Sequence, residues 1–225
     1  MKAALFYFYG LKNSGDMAIN IGAINILKNS GFDEINAISR YDASSVNYYE
    51  TVNFVNEYKE FFKCVNLFPG PFRFERNKNK LALLKEYIEI FINFRKLIQE
   101  SQIANVISDS DVVFFNGGNL LRINSFQDFL RMIALFIPVF IAKKYNKKVI
   151  LLPHSSNKMT RFQCWLTRNF IKNFDCIYTR ENNTNELFLD MRIDNCFQSI
   201  DVGFFSNIEK LKEIRQQRNI KSVAI

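Results

Sequence analysis

The chain has 225 residues, of which 48% are apolar and 23% charged, a globular balance that fits one large domain or one and a half. Its net charge of +8 fits solvated basic faces or an anionic partner such as a phosphate ester or an acidic lipid surface. Nucleic acid is the least favoured partner, because no basic run alternates with aromatic residues. A single histidine and four cysteines without a CxxC pair cannot build a multi-histidine metal site, so we expect no metal and no cofactor.

Strand and helix patterns alternate along the chain. Strands are predicted at 3–9, 34–39, 64–68, 111–115, 149–152, 176–179 and 196–200, with the start of another at 222–225. Helices are predicted from 17 to Gly31 and at 46–61, 81–98, 125–145, 160–174, 184–189 and 208–218. This alternation predicts an α/β fold with a Rossmann-like, doubly wound, mainly parallel sheet.

The most apolar helix contains the run 132–142, with Pro138 inside it. This run is about half of the ~20 residues that a membrane-spanning helix needs. It therefore predicts a buried or partly interfacial helix.

The strand at 111–115 is a short apolar run that ends in Asn116, Gly117, Gly118 and Asn119. Two glycines let the backbone turn sharply and come close to a ligand. Ligands of open α/β sheets bind beyond the carboxyl ends of the strands. These four residues are therefore a candidate binding loop, and a plain strand-to-helix turn is the alternative.

Four further polar loops follow predicted strands, at 10–16, 154–157, 180–184 and 201–203. In the first loop, Gly15 allows a tight turn, and amides at the start of the next helix could hold an anion. Asp16 either takes part in binding or simply caps that helix. The loop matches neither the Walker pattern nor GxGxxG.

His154 is the only side chain that titrates near neutral pH, and it is either an acid or base or a structural histidine. Ser155 and Ser156 add hydroxyl groups but have no visible triad partners. Arg180 could grip a phosphate or carboxylate, or it could pair with Glu181 or another neighbour.

Together these loops resemble the polysaccharide pyruvyl transferase family. The resemblance covers essentially residues 1–205, and its motifs occur in family order: Gly10 with NSGDMAI at 13–19, DVVFFNGGNL at 111–120, VILLPHSS at 149–156, YTRE at 178–181 with Glu186 and Leu187, and DVGF at 201–204. It implies a fold like the N-terminal half of a GT-B-like two-domain enzyme. It also implies transfer of pyruvyl from phosphoenolpyruvate to sugar hydroxyls of a cell-surface polysaccharide or its lipid-linked precursor.

That chemistry needs an acid to protonate the enol carbon and a base for the sugar hydroxyl. We predict His154 and Asp16 as the catalytic residues, without assigning the two roles. The predicted substrate-binding residues are Asn13, Gly15, Asn116, Gly117, Gly118, Asn119, Ser155, Ser156, Arg180, Glu181 and Asp201.

We expect residues 1–205 to form the N-terminal domain, and residues 206–225 to be an interdomain helix and the start of a missing second domain. A chain truncated in this way is expected to lack transferase activity, and ketal formation by it would contradict that. The expected location is cytoplasmic, at the inner face of the membrane if the chain makes peripheral membrane contact. The alternatives are a GT-B-like glycosyltransferase and a non-catalytic fragment that docks through an exposed edge or the 132–142 helix.

Overall fold

The computed structural model describes residues 1–10, 13–70, 85, 88, 92, 102–118, 120, 121, 123 and 125–206. Positions 85, 88 and 92, within the helix predicted at 81–98, are helical. The remainder of that helix, the helix at 208–218, the strand at 222–225 and Asn119 lie outside the described residues. The predicted division of the chain near residue 205 stays a prediction for the same reason.

Seven strands form one all-parallel sheet, which confirms the predicted fold class. The strands lie in the order β3-β2-β1-β4-β5-β6-β7, which is the Rossmann order with a further strand at one edge. They are β1 (Lys2–Phe8), β2 (Glu34–Ser39), β3 (Val65–Phe68), β4 (Val112–Phe115), β5 (Lys148–His154), β6 (Cys176–Thr179) and β7 (Cys196–Gln198).

Six α-helices are seen in the described residues, and a 3-10 turn follows β7. The helices are α1 (Ser14–Asn29), α2 (Val46–Glu57), α3 (Gln102–Asp109), α4 (Phe126–Lys144), α5 (Arg161–Ile171) and α6 (Asn182–Asp190), and the 3-10 turn is Val202–Phe205. The chain first moves outward through β2 and β3, then returns to β4 and moves the other way. Right-handed crossovers therefore place α1 and α2 on one face of the sheet and α3 to α6 on the other.

Local sequence explains where several helices begin and end. Ser45 accepts a hydrogen bond from the Asn47 amide at the start of α2. Thr160 and Gln163 form a reciprocal capping box at the start of α5. Gly31, at φ +85°, takes the left-handed conformation that terminates α1.

The core lies on both faces of the central strands β1 and β4. Every residue from Ala3 to Phe8 is fully buried, as parallel central strands require. Phe115 of β4 packs against Phe136 of α4 and Phe174, with ring centroids 6.0 and 5.1 Å away. The apolar run of α4 is thus a core element, and within the described residues no helix has the length and apolarity to cross a bilayer.

Three local predictions were wrong. β5 runs on through Pro153 to His154, which pairs with Thr179 of β6, so His154 is a strand residue rather than a loop residue. Helix α6 begins at Asn182, inside the predicted loop. Helix α3 was missed, because no element was predicted between residues 98 and 111.

Candidate functional site

A cavity of about 580 Å³ opens at the carboxyl edge of the sheet, beside the point where the strand order reverses between β1 and β4. Ligands of doubly wound folds bind at such switch points. The cavity is lined by Tyr9, Asn13, Gly15, Asp16, Ala18, Ile19, Arg40, Gly118, Arg180, Asp201, Gly203 and Phe204.

A buried amide network fixes the two loops that flank the switch point. The Asn20 side chain accepts from the Tyr9 amide and donates to the Tyr9 carbonyl, both at 3.0 Å. Asn116 donates from its side chain to the Asn20 side-chain oxygen at 2.9 Å, and its own side-chain oxygen accepts from the Gly117 amide at 2.9 Å. Because both asparagines are buried, the network ties the end of β1 to the loop after β4.

The glycine pair lets the loop after β4 approach its neighbours closely. A Cβ on Gly117 would lie 2.9 Å from the Pro153 carbonyl oxygen. Gly118 has φ +130°, a conformation that side chains rarely adopt, and a Cβ there would lie 2.7 Å from the Tyr9 hydroxyl. The Gly118 carbonyl accepts from the Ser155 amide at 3.1 Å, so the loop continues the sheet beside β5.

The start of α1 forms one wall of the cavity. Asn13, rather than Asp16, caps the helix by accepting from the Gly15 amide at 2.9 Å. Asp16 therefore stands in the first turn, half-buried in the lining. Burial raises the pKa of its carboxyl group, which the positive charge of Arg40 partly offsets. A raised pKa makes this carboxylate a better proton acceptor.

Two arginines bring positive charge to the lining. The Arg40 guanidinium lies 5.7 Å from the centroid of the Tyr9 ring, within cation–π range. Arg180 pairs with Asp201 at 2.5 Å and lies 3.6 Å from Glu181. Arg180 is therefore ion-paired, as one of its two interpretations predicts, and it also lines the cavity. Its contact with a ligand stays a prediction.

Ser155 connects this ion cluster to the loop after β4. Its hydroxyl accepts from the Arg180 Nε and donates to the Glu181 carboxylate. Ser156 lies one residue further on, and its amide donates to the Thr184 hydroxyl at 3.0 Å. Neither serine lines the cavity, and Ser155 supports its wall through Arg180 and Gly118.

The 3-10 turn reaches the cavity by packing tightly on α1. A Cβ on Gly22 would lie 2.0 Å from the Val202 carbonyl oxygen, so only glycine permits this approach. Asp201 caps the turn by accepting from the Gly203 amide at 2.8 Å. Phe204, 77% exposed, is thereby held at the mouth of the cavity.

His154 lies behind the lining and is fully buried. Its Nδ1 is 2.5 Å from the Leu152 carbonyl oxygen, an atom that can only accept, so the proton is on Nδ1. Nε2 has no hydrogen-bond partner in the described part of the chain. Burial lowers the pKa of the imidazole to about 4, which keeps it neutral at physiological pH. Its catalytic role stays a prediction.

The structure brings six of the predicted site residues to one cavity: Asn13, Gly15, Asp16, Gly118, Arg180 and Asp201. Six others lie outside the lining: Asn116, Gly117, His154, Ser155, Ser156 and Glu181. The contacts above place all of these except Ser156 directly behind it. The predicted convergence of distant loops on one rim is therefore what the fold produces.

Sequence reasoning missed Asn20, Arg40, Tyr9 and Phe204. Asn20 is a single polar residue on the apolar stripe of α1, and a polar residue at such a position indicates a buried hydrogen-bonding role. Arg40 directly follows β2 and so occupies the same edge as the loops that were singled out. Tyr9 was read as the end of a strand, and nothing in its local pattern marked it.

The lining is balanced in charge, with two arginines and two aspartates. The carboxylates can accept hydrogen bonds from hydroxyl groups, and the guanidinium groups can donate to oxygens. The Tyr9 hydroxyl is buried and has no hydrogen-bond partner among the residues described. No cluster of metal-ligating side chains occurs within the described ranges. The site is therefore equipped for a small polar ligand rich in oxygen.

Fold and cavity together define a Rossmann-like α/β domain with a candidate ligand site at its switch point. A family model for polysaccharide pyruvyl transferase matches residues 13–224, and the chain belongs to that family. No curated protein matches the chain significantly.

Two solved structures show how much of a larger protein this chain resembles. HepE from Anabaena in complex with UDP is similar with a TM-score of 0.50 and 11% identity, over 97% of this chain and 50% of that one. UDP-N-acetylglucosamine 2-epimerase from Rickettsia bellii is similar with a TM-score of 0.48 and 10% identity, over 99% of this chain and 49% of the epimerase. The chain thus spans about half the length of these structures, and the likeness to HepE is one of fold.

Proposed function

We propose that the chain is the acceptor-binding half of an enzyme that transfers pyruvyl from phosphoenolpyruvate to a polysaccharide or its lipid-linked precursor. Family membership supports the reaction class. The observation that carries the acceptor assignment is the cavity at the switch point, whose balanced lining suits a neutral saccharide better than a highly charged donor.

Overall, two sugar oxygens form bonds to C2 of phosphoenolpyruvate, and the C2–O bond to phosphate breaks. Of the two hydroxyl protons, one ends on C3, which becomes the methyl group, and the other leaves with phosphate. Asp16 is the proposed base for a sugar hydroxyl, because burial raises its pKa and it lines the cavity.

The remaining lining supplies contacts for a sugar. The Tyr9 hydroxyl is available to one hydroxyl of the ligand, and Asn13 also lines the cavity. Phe204 presents an exposed ring at the mouth, against which the apolar face of a sugar ring can pack. His154 would act from behind the lining, by fixing the end of β5.

The acceptor proposal implies a location. We propose a cytoplasmic protein that contacts the inner face of the membrane, where a lipid-linked saccharide is presented. Phosphoenolpyruvate as the donor and the saccharide as the acceptor are the proposed small-molecule partners.

Melting temperatures measured with a panel of monosaccharides, phosphoenolpyruvate and UDP-glucose test the proposal. We expect saccharides to raise the melting temperature of the wild-type chain, and Asp16→Asn to weaken that shift. Asp109→Asn is the matched control, because Asp109 lies at the opposite edge of the sheet against Lys2. A shift with UDP-glucose alone would favour a glycosyltransferase, and no shift with any of these would favour a non-catalytic fragment; either outcome overturns the proposal.

A further inference from the structure

The outward face of α5 exposes two large aromatic side chains side by side. Phe162 is 67% exposed and Trp165 is 60% exposed, although both are bulky apolar groups. Their rings stack with centroids 6.1 Å apart and an interplanar angle of 24°. Neighbouring apolar groups exposed in this way mark surfaces that bind something.

Three exposed cations lie on the same face, and a fourth precedes the helix in sequence. The helical spacing that aligns side chains on one side joins Trp165 to Arg161, Arg168 and Lys172, and the exposed Lys158 comes three residues before Arg161. No aspartate or glutamate occurs between positions 129 and 174. Within the described ranges, none of the four cations is paired with a carboxylate.

The opposite side of α5 holds the helix in place. Thr167 and Ile171 are fully buried, and Phe170 packs against Phe136 and Phe140 with centroids 6.4 and 6.1 Å away. The basic aromatic face is defined by Arg161, Phe162, Trp165, Arg168 and Lys172, and this packing fixes it in an outward orientation.

We propose that the basic aromatic face docks the protein on an anionic lipid surface. This deepens the membrane contact proposed above by naming the surface that makes it. Trp and Phe favour the headgroup layer, and juxtaposed lysines and arginines bind anionic headgroups. A second copy of this chain fits poorly, because each copy carries a net charge of +8. Single-stranded nucleic acid fits less well, because the two rings stack on each other rather than stand apart to receive bases.

Trp165 is the only tryptophan, so its fluorescence reports directly on this face. Vesicles of phosphatidylglycerol and phosphatidylethanolamine are expected to shift the emission to the blue, whereas phosphatidylcholine vesicles leave it unchanged. Sedimentation with the vesicles gives the bound fraction. The double variant R161Q/R168Q is expected to bind about thirtyfold more weakly. The double variant K59Q/K63Q removes two exposed cations elsewhere and is expected to bind like wild type.

Phe162→Ser keeps the tryptophan reporter and is expected to reduce both the blue shift and the bound fraction. Equal binding by wild type, R161Q/R168Q and Phe162→Ser would overturn the proposal, as would an equal blue shift with a DNA oligonucleotide at the same ionic strength. These readouts do not involve saccharides. The lipid-binding proposal can therefore be refuted while the acceptor site is supported, and the acceptor site can be refuted while lipid binding is supported.

Discussion

His154 should make the stability of the protein depend on pH in a specific window. Its imidazole pKa is about 4 in the folded chain and about 6.5 in the unfolded chain. Above about pH 6.5 both states are neutral and no stability is lost. As the pH falls towards about 4, His154 becomes protonated in the unfolded chain but stays neutral in the folded chain. The free energy of unfolding should fall by about 3 kcal/mol across this window from His154 alone.

Two measurements test this reasoning. As His154 is the only histidine, its C2–H resonance gives the pKa directly, and we expect no titration between about pH 8 and about pH 5. Urea unfolding of wild type and His154→Asn then gives the stability difference. The asparagine can keep a donor for the Leu152 carbonyl but cannot titrate, so its stability should fall less steeply below about pH 6.5. An imidazole that titrates near 6.5, or identical pH slopes for the two proteins, would refute the burial argument and restore His154 as an accessible acid or base.

Two substitutions in α1 test how the cavity is held together. Asn20→Ala leaves the backbone groups after β1 buried without partners and should cost about 3 kcal/mol in urea unfolding. Asn25→Ala removes an exposed hydrogen bond on the same helix and should cost under about 1 kcal/mol. Equal losses of stability for the two variants would show that the buried network contributes no more than an exposed hydrogen bond. Gly22→Ala should cost about 1–3 kcal/mol, because its new methyl group meets the Val202 carbonyl. Gly15→Ala, whose Cβ would meet only a side-chain oxygen at 3.3 Å, should cost less. If Gly22→Ala is as stable as Gly15→Ala, the close packing of the 3-10 turn is wrong.

The sheet could be predicted because its signals are local and repeated. Short apolar runs between turn residues define parallel strands, and the predicted bounds of β2 and β6 match the structure. β5 was ended too early because Pro153 reads as a chain break. In the structure the Pro153 carbonyl accepts from the Gly118 amide, which extends the pairing without requiring a proline N–H.

The site could be predicted only in part, for a physical reason. Parallel strands bring their following loops to one edge, so the sequence alone predicts that Asp16, Gly118 and Arg180 lie together. Which side chain faces the ligand depends on packing between distant segments. His154 is buried because β5 runs on through Pro153 to His154, and the Arg40 guanidinium lies over the Tyr9 ring in the lining. Neither feature leaves a mark in the surrounding sequence.

Glycine-selective labelling gives the most direct test of the ligand site, because the chain has eight glycines and the lining includes Gly15, Gly118 and Gly203. Amide resonances are recorded while the saccharide that raises the melting temperature most is added. These three resonances are expected to move together with one binding constant, while that of Gly31, at the opposite end of α1, stays in place. Movement of Gly31 without the other three, or movement of none of the four, would contradict a saccharide site at the switch point.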